Sequence, residues 1–123
     1  MSDSYLLQDL ITLSARRNPD AVALTYGKAH LAYGELQDAV SRFASGLIGL
    51  GLARGERVAV YLEKRFETVI SSFGAPAAGG VFVPLNPLLK PEQVGYILRD
   101  CNVRVLITSP ERLALLQETL PAC

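Results

Sequence analysis

The chain has 123 residues, half of them hydrophobic, and a positive mean hydropathy of +0.25. This composition excludes intrinsic disorder, which requires low hydrophobicity and high net charge, and the length suits one domain or part of a larger one. Twelve Lys and Arg balance twelve Asp and Glu, without Trp and without a basic stripe. Since nucleic-acid-binding proteins carry such a stripe, we expect no nucleic-acid partner.

The start of the chain and its cysteines bear on the compartment. The opening residues MSDSYLLQDL lack a basic region and carry Asp3 and Asp9, which is unlike a secretory signal peptide. No apolar run reaches the roughly 20 residues that span a bilayer. Cys101 and Cys123 have no zinc-ligand spacing, and we interpret them as a small buried hydrophobic residue and a terminal thiol. We expect a cytoplasmic chain without a transmembrane segment or a metal site.

The first predicted elements are a helix and a hairpin. Apolar residues at helical spacing predict a helix over residues 5–17, with Ser4 as its cap. It should stop before Pro19, because the residue preceding proline is biased away from helix. Two short strands over 21–26 and 30–32, separated by a glycine turn, predict a β-hairpin.

A second helix is predicted over residues 33–50. Its capping box has lost the hydroxyl at Ala32 but keeps Glu35 at the third helical position. Gly51 supplies a left-handed stop. The predicted buried face of this helix comprises Leu36, Val40, Phe43, Ala44, Leu47 and Leu50.

From residue 57 onward, apolar strands alternate with helices. Strands are predicted over 57–62, 81–84 and 103–108, and their continuous apolar runs indicate burial on both faces. The predicted helices carry the apolar sets Phe66, Val69, Ile70, Phe73 and Ala77, then Val94, Ile97, Leu98 and Cys101, and a last short helix covers 110–120. Pro76 should kink the first of these helices or end it early, and Asn102 offers a left-handed stop to the second. The predicted fold class is α/β, with a parallel sheet and flanking helices plus the N-terminal helix and a hairpin that lies apart.

Two features superficially resemble functional motifs. Gly49, Gly51 and Gly55 have a spacing one residue longer than a dinucleotide-binding loop, and they follow a helix instead of a strand. We interpret them as helix termination and a turn. His30 is the single histidine, so any Ser-His-Asp or Cys-His arrangement would have to include it. Because it lies in the predicted hairpin, we interpret it as an exposed strand residue.

A charged group lies where α/β proteins often bind ligands. Glu63, Lys64, Arg65 and Glu67 follow the carboxyl end of the first parallel strand. The interpretation we favour is a solvated loop and helix start, with Glu67 near the positive end of the helix dipole. The run over 79–87, with two glycines and two prolines, predicts a rigid turn. The residues alone therefore assign no catalytic, cofactor-binding or metal-ligating position.

Several segments, taken in order, resemble the opening of the adenylate-forming superfamily, which includes acyl-CoA synthetases, luciferases and peptide-synthetase adenylation domains. They are LAYGEL at 31–36, GERVAV at 55–60, AGGVFVPL at 78–85, PEQ at 91–93 and VLIT at 105–108. The resemblance covers essentially the whole chain, with Ala32 and Pro76 as departures. The runs YLEKR at 61–65 and NPLLKP at 86–91 resemble an exosortase-associated subgroup of bacterial acyl-CoA ligases.

The resemblance implies that residues 1–123 are the N-terminal fragment of the adenylation domain of an AMP-forming acyl-CoA ligase, with no complete second domain. The full-length enzyme would use ATP, Mg²⁺ and CoA to convert a carboxylate into acyl-CoA, AMP and pyrophosphate. The family's phosphate loop and catalytic lysine come later, so no site residue carries over, and we expect this fragment to bind no cofactor and to be inactive. Its expected partners are the missing remainder of the domain and, through exposed apolar surface, itself. A relative with a carrier-protein acceptor and a free-standing α/β interaction module remain as alternatives.

Overall fold

The computed structural model describes the backbone of residues 7–123 and the side chains of residues 11–123. The helices are α1 (Leu7–Arg17), α2 (Tyr33–Gly49), α3 (Phe66–Ala77), α4 (Pro91–Asp100) and α5 (Pro110–Leu115), followed by a 3₁₀ turn at Leu120–Ala122. The strands are β1 (Val22–Tyr26), β2 (Ala29–Ala32), β3 (Arg57–Tyr61), β4 (Val81–Pro84) and β5 (Val103–Thr108). None of the helices within this range is long and apolar enough to cross a membrane.

The parallel sheet has β3 at its centre. β4 and β5 pair with β3 on opposite sides, both parallel to it, so that Val58 lies opposite Phe82 and Val105. β1 and β2 form a separate antiparallel pair. The predicted parallel sheet, and the position of the hairpin outside it, are confirmed.

Different helices cover the two faces of the sheet. On one face, Ala59 and Tyr61 of β3 pack with α4 and with the residue that follows α5, Leu116. On the other face, Val58 packs with Leu47 of α2 and Ala75 of α3. This alternation follows from the two-residue period of a strand, which sends successive side chains to opposite faces.

A third apolar cluster joins the hairpin to the helices. Ile11 of α1 packs with Leu36 and Val40 of α2, and the hairpin contributes Leu24 and Leu31. α2 and α3 approach closely where the ring of Phe43 lies against Gly74. A Cβ atom at position 74 would clash with that ring, so the approach requires glycine.

The residues predicted to end α2 and α4, and the half capping box predicted at the start of α2, are confirmed. Gly51 (φ +93°) and Asn102 (φ +49°) adopt the positive φ expected of residues that end helices. The amide of Ala32 donates to Glu35 Oε1 at 2.9 Å, which is the half of the capping box that the missing hydroxyl leaves intact. Lys90 and Gln93 repeat this half-box at the start of α4, at 2.9 Å.

Some predicted boundaries differ from the structure. β3 ends at Tyr61 and the last helix at Leu115, several residues short of the predicted 120. After Leu115 the backbone continues in tighter turns, in which the Leu116 amide donates to the Leu113 carbonyl at 3.0 Å and the Thr119 amide to the Leu116 carbonyl at 2.9 Å. α3 runs past Pro76 only as far as Ala77. The predicted cap Ser4 and the first two residues of the predicted helix lie outside the described residues.

Several predicted burial assignments are wrong. β4 and β5 are only partly buried, since each is an edge strand with one neighbour. Leu50 is 75 % exposed because it lies beyond the last turn of α2. The predicted apolar face of α3 is half-buried, and the fully buried residues are the small ones Ser71, Gly74 and Ala75. Cys101 is half-buried, not buried, since it caps the end of α4.

Candidate functional site

Ion pairs link charged residues at the carboxyl edge of the sheet. Glu63, just after β3, accepts a hydrogen bond from Arg65 Nη1 at 2.9 Å and one from Arg112 Nε at 3.2 Å. Arg65 also pairs with Glu67, with its Nη2 at 3.2 Å from Oε2. Glu67, Arg65, Glu63 and Arg112 therefore form a row of alternating charges, here called the charge chain. It connects the start of α3 to α5.

Arg112 is the member of the charge chain that reaches the largest number of elements. The buried Ser109 caps α5 and accepts from the Arg112 amide at 3.3 Å, which fixes where the side chain starts. The guanidinium carbon of Arg112 lies 4.7 Å from the ring centroid of Tyr61, within cation–π range. Nη1 donates to the Pro87 carbonyl at 2.8 Å. One side chain thus contacts β3, the loop after β4, and Glu63.

Tyr61 ties the carboxyl ends of the three strands together. Its side chain is buried, and its hydroxyl donates to the Leu89 carbonyl at 2.6 Å. The Thr108 hydroxyl donates to the Tyr61 carbonyl at 2.7 Å. The last residue of β3 therefore holds both the loop that follows β4 and the end of β5.

The charges at this edge are mutually compensated. The hydrogen bond from Arg65, with a further contribution from Arg112, lowers the pKa of Glu63, although partial burial opposes the shift. The hydrogen bond from Arg65 also lowers the pKa of Glu67. Glu67 and Glu63 raise the pKa of Arg65. Both carboxylates are ionised at neutral pH and engaged by guanidinium groups, so neither serves as a general acid or base in this arrangement.

The structure joins three of the four charged residues that the sequence indicated. The fourth, Lys64, is exposed and is not part of the charge chain. The predicted solvated loop and helix start are present, with Glu67 exposed in the first turn of α3. The sequence did not predict the ion pair to Glu63, because Arg112 arrives from a helix 49 residues away in sequence. Arg112 and Tyr61 were missed. The signal for Arg112 was its place in the first turn after the third strand, since parallel strands end at the same edge of a sheet.

The remaining sequence candidates lie elsewhere. His30 is exposed in β2, with its Nδ1 3.1 Å from Thr25 Oγ1 across the hairpin. Gly55 precedes β3, at the amino edge of the sheet, and its amide donates to the Gly79 carbonyl at 2.8 Å. These positions agree with an exposed strand residue and a turn. Among residues 11–123, no group of three or more His, Cys, Asp or Glu side chains is placed to hold a metal ion.

Comparison with known proteins identifies relatives along almost the whole chain. The family of AMP-binding enzymes matches residues 11–123. A long-chain-fatty-acid–CoA ligase from Bacillus subtilis is 44 % identical over 103 residues, which are 83 % of this chain and 18 % of that protein. The N-(5-amino-5-carboxypentanoyl)-L-cysteinyl-D-valine synthase of Streptomyces clavuligerus is 32 % identical over 118 residues, 94 % of this chain and 15 % of the synthase.

Solved structures give the same result. The crystal structure of the anthranilate CoA ligase AuaEII in complex with anthranoyl-AMP matches 99 % of this chain with a TM-score of 0.92 and 30 % identity. The match covers 24 % of the AuaEII chain, so this chain spans a quarter or less of the relatives named here. The parallel sheet, its flanking helices and the hairpin correspond to the N-terminal part of such structures. The chain belongs to the family of AMP-binding, adenylate-forming enzymes.

Proposed function

We propose that the chain is the N-terminal part of the adenylation domain of an AMP-forming ligase that couples a carboxylate to CoA with ATP. The observation that carries the proposal is the 44 % identity to the Bacillus subtilis long-chain-fatty-acid–CoA ligase. In this proposal the enzyme is cytoplasmic, and it belongs to the exosortase-associated subgroup suggested by residues 61–65 and 86–91. The acid forms an acyl-adenylate with release of pyrophosphate, and the acyl group then passes to the CoA thiol.

A carrier-protein acceptor is the second candidate. It is supported by the match to the Streptomyces clavuligerus synthase, whose named product is a peptide and which aligns with 94 % of this chain. Both candidates share the adenylation step and differ only in the thiol that accepts the acyl group.

The described residues do not themselves fit a nucleotide or Mg²⁺ site. Phosphate binding in α/β proteins uses free amides in a glycine-rich loop between a strand and a helix. The start of α3 instead carries Glu67 in its first turn, and its cap residue Arg65 is engaged by two carboxylates. The glycines near residue 55 lie at the opposite edge of the sheet. No ATP contact is therefore assigned to residues 11–123, and the proposal places the chemistry in sequence beyond them.

The coding sequence beyond codon 123 provides the decisive test. We expect it to encode a phosphate loop and a distal lysine, and we expect the complete protein to release pyrophosphate from ATP in the presence of a carboxylic acid. Acyl transfer to CoA would support the first candidate, and transfer to a phosphopantetheinylated carrier protein the second. A stop codon in an intact gene context would refute both and favour a free-standing interaction module.

We propose that the isolated chain is catalytically inactive. Calorimetric titration with ATP·Mg²⁺ and a pyrophosphate-release assay with several fatty acids and CoA should both give no signal. The Bacillus subtilis ligase is the positive control for the assay. Micromolar affinity for ATP, or turnover that persists after contaminating ligase is removed, would show that a site has been overlooked.

We also propose that the isolated chain self-associates. Leu88 (87 % exposed), Leu50 (75 %) and Tyr96 (63 %) are large apolar side chains at the surface, and the formal net charge of zero offers little repulsion. Sedimentation over a concentration series should show rising mass, which a Leu50→Glu variant weakens. A clean monomer at high concentration that binds no hydrophobic dye would contradict this proposal.

A further inference from the structure

The loop over residues 86–90, between β4 and α4, is held at its α4 end by the Lys90–Gln93 bond and by the packing of Leu89 against the core. Inside the loop, the Asn86 side chain accepts from the Leu88 amide at 2.8 Å and the Asn86 carbonyl accepts from the Leu89 amide at 3.0 Å. Two side chains from elsewhere hold its outer carbonyls: Arg112 donates to Pro87 and Tyr61 donates to Leu89. These two anchors lie on either side of the exposed Leu88.

The two anchors differ in what supports them. Tyr61 belongs to the central strand and is almost fully buried, so its position is fixed by the sheet. Arg112 belongs to α5, a six-residue helix with no buried residue of its own. α5 is attached mainly through its cap Ser109, the neighbouring Leu116 and the contacts of Arg112. Short helices are marginal without tertiary contacts. The hydrogen bond from Arg112 to Pro87 therefore persists only while α5 stays docked.

The geometry at residue 112 requires arginine. Its guanidinium stacks on Tyr61 while Nε donates to Glu63 and Nη1 donates to Pro87, three contacts in fixed relative directions. A planar, forked guanidinium provides this combination, whereas a lysine ammonium is a single point charge on a flexible stem. The side chain is 17 % exposed, which shields the contacts from solvent.

We propose that Arg112 is a clasp through which the docking of α5 controls the conformation of the loop over 86–90. When α5 releases, the Pro87 end of the loop opens while the Tyr61 bond retains the Leu89 end. Displacement of α5 thereby changes a loop at the carboxyl edge of the sheet, the edge where α/β proteins bind ligands. The inference concerns this chain alone and does not depend on the proposed ligase activity.

Hydrogen exchange of backbone amides tests the clasp. Mass spectrometry with fragmentation resolves single amides at low micromolar concentration, where self-association is weakest. In Arg112→Gln, the amides of Leu88, Leu89 and α5 should exchange about tenfold faster or more. Their exchange rates should not change with low concentrations of denaturant, as expected for a local opening. Exchange in β3 and in the hairpin should be unchanged. Arg42→Gln is the matched control, because Arg42 is 83 % exposed and its ion pair with Asp38 is long, at 4.0 Å.

Two further variants separate a clasp from ordinary destabilisation. Arg112→Lys keeps a positive charge near Glu63 but lacks the forked guanidinium, so it should open the loop as Arg112→Gln does. If the glutamine variant fails to fold, the lysine variant is measured in its place. Tyr61→Phe should speed exchange at the loop but leave α5 protected. A folded Arg112 variant with an unchanged loop would overturn the proposal. So would exchange that rises equally throughout the protein, or α5 opening in Tyr61→Phe.

Discussion

The two faces of the parallel sheet are covered by segments whose buried side chains differ in size. The face covered by α4 and the segment after α5 is filled by bulky side chains, including Tyr61, Val94 and Leu116. On the other face, the buried residues of α3 are small, and Ala75 packs beside the larger Leu47 and Val58. Gly74 of α3 lies against the ring of Phe43 in α2. Large buried side chains on the first face offer the most volume to remove, and removing atoms there should be strongly destabilising. Where α3 approaches α2 at Gly74, a single added atom should be destabilising.

The largest expected effect is from removing volume on the bulky face. Leu116→Ala should lower the free energy of unfolding by about 3 kcal/mol, since a fully buried leucine leaves a cavity among packed neighbours. Equilibrium urea unfolding at low protein concentration measures this loss. Leu113→Ala is the matched control in the same segment, because Leu113 is 46 % exposed. Equal losses in the two variants would show that Leu116 is not in a packed core.

Adding a single methyl group on the close-packed face should have the next largest effect. Gly74→Ala should destabilise the protein by about 1–3 kcal/mol, because the new Cβ meets the Phe43 ring. Gly46→Ala adds the same atom to α2, where nothing lies within 4 Å, and should raise stability by up to about 1 kcal/mol through helix propensity. Opposite signs in thermal or urea unfolding would support the comparison. A stabilising Gly74→Ala would show that the ring moves aside freely.

A smaller effect is expected from one hydroxyl on the bulky face. Tyr61→Phe keeps the ring in the core but leaves the Leu89 carbonyl without its partner at 2.6 Å. We expect a loss of about 1 kcal/mol in urea unfolding, typical of one hydrogen bond. Tyr96→Phe removes a hydroxyl from a side chain that is 63 % exposed and should be neutral. A neutral Tyr61→Phe would mean that water replaces the hydroxyl at that carbonyl.

The smallest effect concerns the charge chain, which belongs to neither face. The folded-state pKa of Glu63 lies below the ordinary value of 4.5, chiefly through Arg65. Its stabilising contribution is therefore complete above that value and is lost as the pH falls through the lower, folded-state pKa. In Glu63→Gln, melting temperatures measured from neutral to acid pH should fall less steeply on the acid side. Glu118→Gln, at an exposed site outside the charge chain, should leave the curve unchanged.

The sequence predicted the elements better than their depth of burial. The apolar run over 57–62 identified the central strand, because a strand buried on both faces has no polar alternation to confuse it. Its two neighbours carry similar runs, yet they lie at the edges of the sheet. Whether a strand has one neighbour or two depends on chain pairing, which hydrophobicity within a strand does not encode. The small buried face of α3 was also missed, since Ser71 and Gly74 do not register as apolar in a helical pattern.

The candidate site was only half predictable. Glu63 and Arg65 could be placed at the carboxyl edge, because the predicted strand ends just before them. Their partner Arg112 is far along the chain, and its contacts depend on how α5 turns after β5. A sequence pattern indicates which edge a residue reaches, but not the angle at which a short helix presents it. The same is true of Tyr61, whose hydroxyl partner is a backbone carbonyl with no residue-type signal.

The bond between the Gly55 amide and the Gly79 carbonyl has a consequence for the order of folding. It closes the base of the β3–α3–β4 unit, where Val81 also donates to Glu56 at 2.8 Å. β3 and β4 are joined by one crossover connection, through α3. β5 follows a second crossover connection, through α4, and pairs with the other side of β3. Because the entropic cost of loop closure grows with loop length, we expect β3, α3 and β4 to assemble first and to serve as the template on which β5 docks. That unit also emerges from the ribosome before β5, so the order of synthesis matches the order of assembly that we expect.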